Sequence, residues 1–136
     1  MTPVETALAF FDAINKHDPG KLVELMTEDH LFVDSLGRSA QGRATMLAGW
    51  QAYFEFCPDY WVSRTDVLHA GDTVAMFGSA GGTISVNGEL PPENKWQMPA
   101  AWRFAIRDGL IQEFRVYADN KPVYDILAKS PKPDAT

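Results

Sequence analysis

The chain has 136 residues and a formal net charge of -6, with 46% hydrophobic and 22% charged residues. That length suits one domain with a sizeable core, and the composition excludes a disordered, collagen-like or coiled-coil chain. The acidic balance is the wrong sign for binding nucleic-acid phosphates, and no apolar run reaches the length that spans a bilayer, so neither nucleic acid nor a membrane is expected as a partner.

Met1 leads straight into Thr2, Pro3 and an amphipathic pattern, without the charged-then-apolar run of a signal peptide. A single cysteine, Cys57, excludes an intrachain disulfide, and a cytoplasmic protein is the simplest expectation. Thr2 and Glu5 have capping-box spacing, and Val4, Ala7, Leu8, Phe11 and Ile14 recur at helical spacing, which predicts a helix over Pro3–Lys16. Asp18-Pro19-Gly20 stops it and starts a second short helix with Leu22, Val23, Leu25 and Met26 on its apolar side. His30–Ser35 reads as a strand and Gly37–Gly42 as a polar loop. Met46, Leu47, Trp50, Tyr53, Phe54 and Cys57 form a helical stripe over Arg43–Cys57 that Pro58 closes.

Strand character follows: Tyr60–His69, a turn at Ala70-Gly71-Asp72, Thr73–Val86, a loop over Asn87–Lys95, Trp96–Arg107, a tight turn at Asp108-Gly109, and Leu110–Ala118. A short helix is expected around Val123–Leu127, and 130–136 as a loose tail beyond a single domain over 1–129. Helices first and an antiparallel meander after them make an α+β pattern.

Asp34 stands out chemically. It ends an otherwise apolar strand on which His30, Phe32 and Asp34 share one face. Desolvated under Trp50, its carboxyl is expected to rise in pKa and become a useful general base. The alternative is a strand-end aspartate that binds backbone amides of the Ser35–Gly37 turn. Metal binding is not expected: His30 and Asp34 lie roughly 13 Å apart along a strand, and His17 and His69 have no second ligand at a suitable spacing. Gly78-Ser79-Ala80-Gly81-Gly82 lacks the spacing of a phosphate loop or nucleophile elbow and is expected to mark a bulge or bend. Cys57 reads as a small buried hydrophobe.

The element order, the segment Glu28-Asp29-His30, the strand-end Asp34, the Gln41-Gly42-Arg43 entry to the third helix and the Arg115-Val116-Tyr117-Ala118-Asp119 ending resemble the nuclear transport factor 2-like superfamily. Within it they resemble the SnoaL-like polyketide cyclases and ketosteroid isomerase-like proteins. The resemblance implies a curved antiparallel sheet wrapped by N-terminal helices into a cone with a deep apolar pocket, the cystatin-like α+β roll. It further implies a homodimer through the outer sheet face, no cofactor, and a small hydrophobic molecule as ligand.

By that resemblance Asp34 falls on the proton-shuttling aspartate, while the two oxyanion donors of the isomerases fall on Phe10 and Ala100, neither of which donates a hydrogen bond. Each lost donor costs about a hundredfold, which disfavours steroid isomerisation by that route. Trp50 falls on a supporting tyrosine and offers its indole N–H instead. Epoxide hydrolysis is weaker still, since that resemblance asks for an acid where Val116 stands.

Strand parity, oriented by the family pattern, turns Ala100, Trp102 and Phe104 inward together with Phe114, Val116 and Ala118. His30, Phe32, Phe10, Trp50, Tyr53, Phe54 and Trp61 complete the expected ligand-binding wall. Glu113, Arg115, Tyr117 and Asp119 then lie on the outer face or rim, with Arg103 to Glu113 or Arg115 as cross-strand pairs. Two functions remain open: proton transfer of the isomerase or cyclase type with Asp34 as acid/base, or a non-catalytic ligand-binding or assembly domain of the same fold.

Overall fold

Two N-terminal helices form where local signals demand them. In the computed structural model, which describes residues 1–129, α1 spans Pro3–Asn15. The Thr2 hydroxyl accepts from the Glu5 amide at 3.1 Å, and the Glu5 carboxylate accepts from the Thr2 amide at 2.9 Å, a complete capping box. α2 covers Pro19–Glu24, with Asp18 accepting from the Lys21 amide at 3.1 Å. Positions 130–136, expected as a loose tail, lie outside the described residues.

β1 (Met26–Val33), β2 (Ser39–Gln41), α3 (Arg43–Phe56), β3 (Trp61–Ala70), β4 (Thr73–Thr83), β5 (Lys95–Arg107), β6 (Leu110–Ala118) and α4 (Lys121–Lys129) follow. The six strands form one sheet in the order β2-β1-β6-β5-β4-β3. This is the expected α+β architecture, with differences in detail. β1 begins four residues before the predicted His30 and stops one before Asp34. The predicted polar loop contains β2, a short edge strand. β4 ends at Thr83 rather than Val86, where the Ser85 amide turns to the Phe56 carbonyl at 2.9 Å. The meander is antiparallel, but β1 joins it parallel to β6, with Phe32 beside Phe114.

Helix α1 lies on one face of the sheet and buries Phe10, Phe11 and Ile14 there. Asn15 fastens its end to β3 by accepting from the Val62 amide at 2.8 Å and donating to the Val62 carbonyl at 2.9 Å. β5 carries the strongest alternation. Trp96, Met98, Ala100, Trp102, Phe104 and Ile106 are all buried, and the residues between them are more exposed. The glycine run bends the sheet as expected. Opposite Gly78 the β3 register shifts between Arg64 and Asp66, and the Ser63 carbonyl presses so close that a side chain on Gly78 would overlap it. Gly42, at φ 96°, makes the sharp entry to α3 while its amide donates to the His30 carbonyl at 2.8 Å.

Candidate functional site

The inward faces of β4, β5 and β6, roofed by α3, enclose a cavity of ≈ 460 Å³, within the range of small-molecule sites. Its deep wall is apolar: Trp96, Met98, Ala100 and Trp102 from β5, Phe114 and Val116 from β6, and Ala80 from β4. Trp50 and Tyr53 of α3 close it from above, with Tyr60 beside them. These rings brace one another. Trp50 meets Tyr53 edge-on at 6.4 Å between ring centres, Tyr53 meets Tyr60 edge-on at 4.8 Å, and Tyr60 tilts toward Trp96 at 6.0 Å. Burial pushes both tyrosine hydroxyls well above the usual phenol range, so both are neutral donors. His17 holds Tyr60 from behind, its Nε2 lying 2.7 Å from the Tyr60 carbonyl while its ring stacks on Phe54.

The mouth is polar. Asp34, Ser35 and Arg38 from the β1–β2 turn, Thr45 from α3 and Asn120 at the head of α4 rim the opening. Asp34 follows the last residue of β1, its side chain only 24% exposed. Its Oδ1 accepts from the backbone amides of Leu36 at 3.0 Å and Arg38 at 2.9 Å, and its Oδ2 from Arg38 Nε at 2.8 Å. The expected upward shift is therefore corrected. Partial burial pushes the Asp34 carboxyl up, but the amide and guanidinium hydrogen bonds outweigh it and hold the group below the ordinary carboxylate range. The turn-binding alternative describes this geometry. Asn120 Nδ2 donates to Ser35 Oγ and so ties the head of α4 to the same turn.

A family model for the SnoaL-like domain matches residues 7–114. The chain belongs to the SnoaL-like domain family. Solved structures agree on the fold. IdmH of Streptomyces antibioticus, a candidate polyketide cyclase, is similar at 27% identity and a TM-score of 0.76, over 94% of this chain and 99% of that one. A Catenulispora acidiphila protein of ketosteroid isomerase-like fold, in complex with trimethylamine, is 25% identical with a TM-score of 0.78, over 98% of this chain and 96% of that one. A candidate SnoaL-like polyketide cyclase from Jannaschia sp. CCS1 is 23% identical with a TM-score of 0.81, over 95% and 93% of the two chains. No curated protein matches.

In this SnoaL-like fold, Asp34, Phe32, Trp50, Tyr53, Ala100, Trp102, Phe114, Val116 and Ala118 of the expected site all reach the cavity. Five others do not. Phe10 and Phe104 face the right way but lie one layer deeper. Phe10 is sealed behind the cavity wall against Trp50 at 6.2 Å and Phe114 at 4.9 Å, and Phe104 is fully buried beside both phenylalanines. Phe54 is turned to His17, and Trp61 lies across the strand from buried Val62, with its indole over Gly81.

His30 is fully buried near Phe10, its Nδ1 at 2.7 Å from the Ile111 carbonyl and its Nε2 shielded and, among the described residues, without a partner. Burial lowers its pKa, so the ring is neutral with the proton on Nδ1. Trp50 Nε1 is likewise shielded and has no partner among the described residues, so it does not present a donor to the cavity. Sequence reasoning missed Arg38, Ser35 and Asn120. They sit on loops, and only the turn geometry brings them to the mouth.

On the outer face Arg103 pairs with Glu113 at 2.9 Å. Arg115 stands directly opposite Arg103 and lies instead over the Tyr117 ring at 5.3 Å. Cys57 is buried and its thiol is pushed up by burial to about 11, which leaves it unreactive at neutral pH. Among the described residues no three His, Cys, Asp or Glu side chains are grouped to hold a metal, and no helix is long and apolar enough to cross a membrane.

Proposed function

We propose that this SnoaL-like protein binds a small, largely apolar molecule without a cofactor, its ring system against the tryptophan and phenylalanine wall and its polar end at the mouth. One observation carries the reading: a cavity of ≈ 460 Å³ whose wall is aromatic and aliphatic and whose charged residues among those described, Asp34 and Arg38, sit together on the β1–β2 turn. Thermal unfolding against a panel of ketones, phenols, steroids and polyketide-like aromatics tests it. A ligand at a hundredfold excess over its Kd stabilises by about 2.7 kcal/mol. A panel without a single stabilising class refutes the reading.

Proton transfer by Asp34 is the second reading, favoured by its being the one carboxylate on the cavity wall among the described residues. A carboxylate held below its ordinary pKa is a weak base. With no donor at Phe10 or Ala100, such catalysis is confined to substrates whose C–H is already acidic. Solvent-deuterium exchange into an acidic β-dicarbonyl probe, lost in Asp34→Asn, is the expected signature.

Pairing of two copies through the outer sheet face is part of the proposal. Phe77 and Tyr117 sit on one row across β4, β5 and β6, and are 43% and 48% exposed. Light scattering at twice the monomer mass, reverting in Phe77→Glu, is the expected result.

A further inference from the structure

The rim's polar groups differ in what they have left to give. Both Asp34 oxygens are engaged, Oδ1 by two backbone amides and Oδ2 by Arg38 Nε. Ser35 Oγ accepts from Asn120. Arg38 spends only Nε and its backbone amide, and among the described residues its terminal nitrogens Nη1 and Nη2 have no hydrogen-bond partner. A guanidinium tethered by Nε to a carboxylate that is itself pinned by two amides is restrained, and its remaining edge faces away from that carboxylate. That edge carries two parallel N–H donors, and Arg38 belongs to the cavity lining. The rim therefore has an unspent planar donor pair, and its carboxylate is already fully used.

We propose that Arg38 is the head-group receptor of this cavity, and that the ligand is an aromatic or alicyclic carboxylate whose two oxygens dock on Nη1 and Nη2 while its rings enter the apolar wall. Bidentate pairing of carboxylate with guanidinium is stronger and more directional than a neutral hydrogen bond. Asp34 then acts through Arg38 as a positioning residue. The chain's net charge of -6 does not oppose this, because discrimination is set within hydrogen-bond reach and distant surface charges are screened. The inference rests on the ligand-binding reading above and names the chemistry at one end of that site.

Three probes of one shape separate the cases: 2-naphthoate, 2-naphthamide and 2-naphthylmethylammonium, titrated calorimetrically into the whole protein at neutral pH. The expected result is naphthoate binding at least tenfold more tightly than naphthamide. Arg38→Met should abolish that preference by weakening naphthoate far more than naphthamide, and Arg38→Lys should recover only part of it, since an ammonium lacks the fork. Arg38 is 72% exposed, so neither variant threatens folding. Equal binding of the acid and the amide, preference for the ammonium, or a preference that survives Arg38→Met overturns the role of Arg38 and leaves the cavity reading standing. Failure of all three probes to bind, when a neutral member of the wider panel does stabilise the protein, overturns the carboxylate proposal alone; failure of the whole panel overturns the cavity reading with it.

Discussion

The floor and the rim of the cavity obey opposite rules. The floor and the rings packed around it are tightly filled, and the shielded ring nitrogens there, His30 Nε2, Trp50 Nε1 and Trp96 Nε1, have no hydrogen-bond partner among the described residues. At the rim the carboxylate is saturated, and the guanidinium beside it is held by one nitrogen with two to spare. Burying a polar group without a partner costs stability and is tolerated only where packing compensates. A half-exposed ion pair contributes little to stability and is free to serve recognition. The floor is thus expected to set whether the protein folds, and the rim to set what it binds.

The largest effect tests the floor directly. Trp102 is 2% exposed, lines the cavity, and meets Phe11 edge-on at 5.0 Å. Trp102→Ala should cost about 3–5 kcal/mol in chemical denaturation, a large share of a domain's total stability. A smaller loss than about 1 kcal/mol would show that the floor is looser than its packing implies. Gly78→Ala should follow at about 1–3 kcal/mol, because the added methyl meets the Ser63 backbone at the bulge and has no flexible neighbour to displace.

His30 sharpens the comparison through pH. Burial lowers its pKa in the folded chain below the ordinary 6.5, so the unfolded chain binds the proton more readily. Stability should be level above pH 6.5 and fall as pH drops toward the folded value, with a slope of up to about 1.4 kcal/mol per pH unit. His30→Leu should remove that slope and lower stability throughout, since the Ile111 carbonyl loses its donor. Urea midpoints measured across this range decide it, and an unchanged slope in His30→Leu would place the titration elsewhere.

Much of this division was legible in the sequence, and the parts that were not share a cause. The capping box at Thr2 and Glu5, the proline entry to α2 and the alternation along β5 are local patterns, and each formed where the residues indicated. β2 was hidden because Ser39, Ala40 and Gln41 carry no strand signature and pair only because β1 lies alongside. The parallel β1–β6 contact likewise has no local mark. Parity placed Trp102, Phe114 and Val116 on the correct face, but parity gives a side and not a depth, so Phe10 and Phe104 were drawn into a cavity wall they only support. Asp34 was found by its place at the end of an apolar strand. Its lowered pKa was not, because the donors that lower it are backbone amides brought round by a turn.

The smallest expected effect is the most informative about the rim. Asp34 contributes stability that is present above its ordinary carboxylate pKa of 3.8 and is lost as pH falls through its lower folded value. Asp34→Asn should therefore cost no more than about 1 kcal/mol at neutral pH. The amide oxygen can still accept from the Leu36 and Arg38 amides, and the ion pair it loses is half in water. Its consequence for Arg38 is larger in kind. Without the carboxylate, Nε loses its fixed partner and the guanidinium edge loses its direction. Asp34→Asn should then reduce the preference for naphthoate over naphthamide even though it removes a negative charge from the rim. Electrostatics alone predicts the opposite sign, because deleting that charge should improve the binding of an anion. The direction of this one change separates a rim that positions its arginine from a rim that merely adds up its charges.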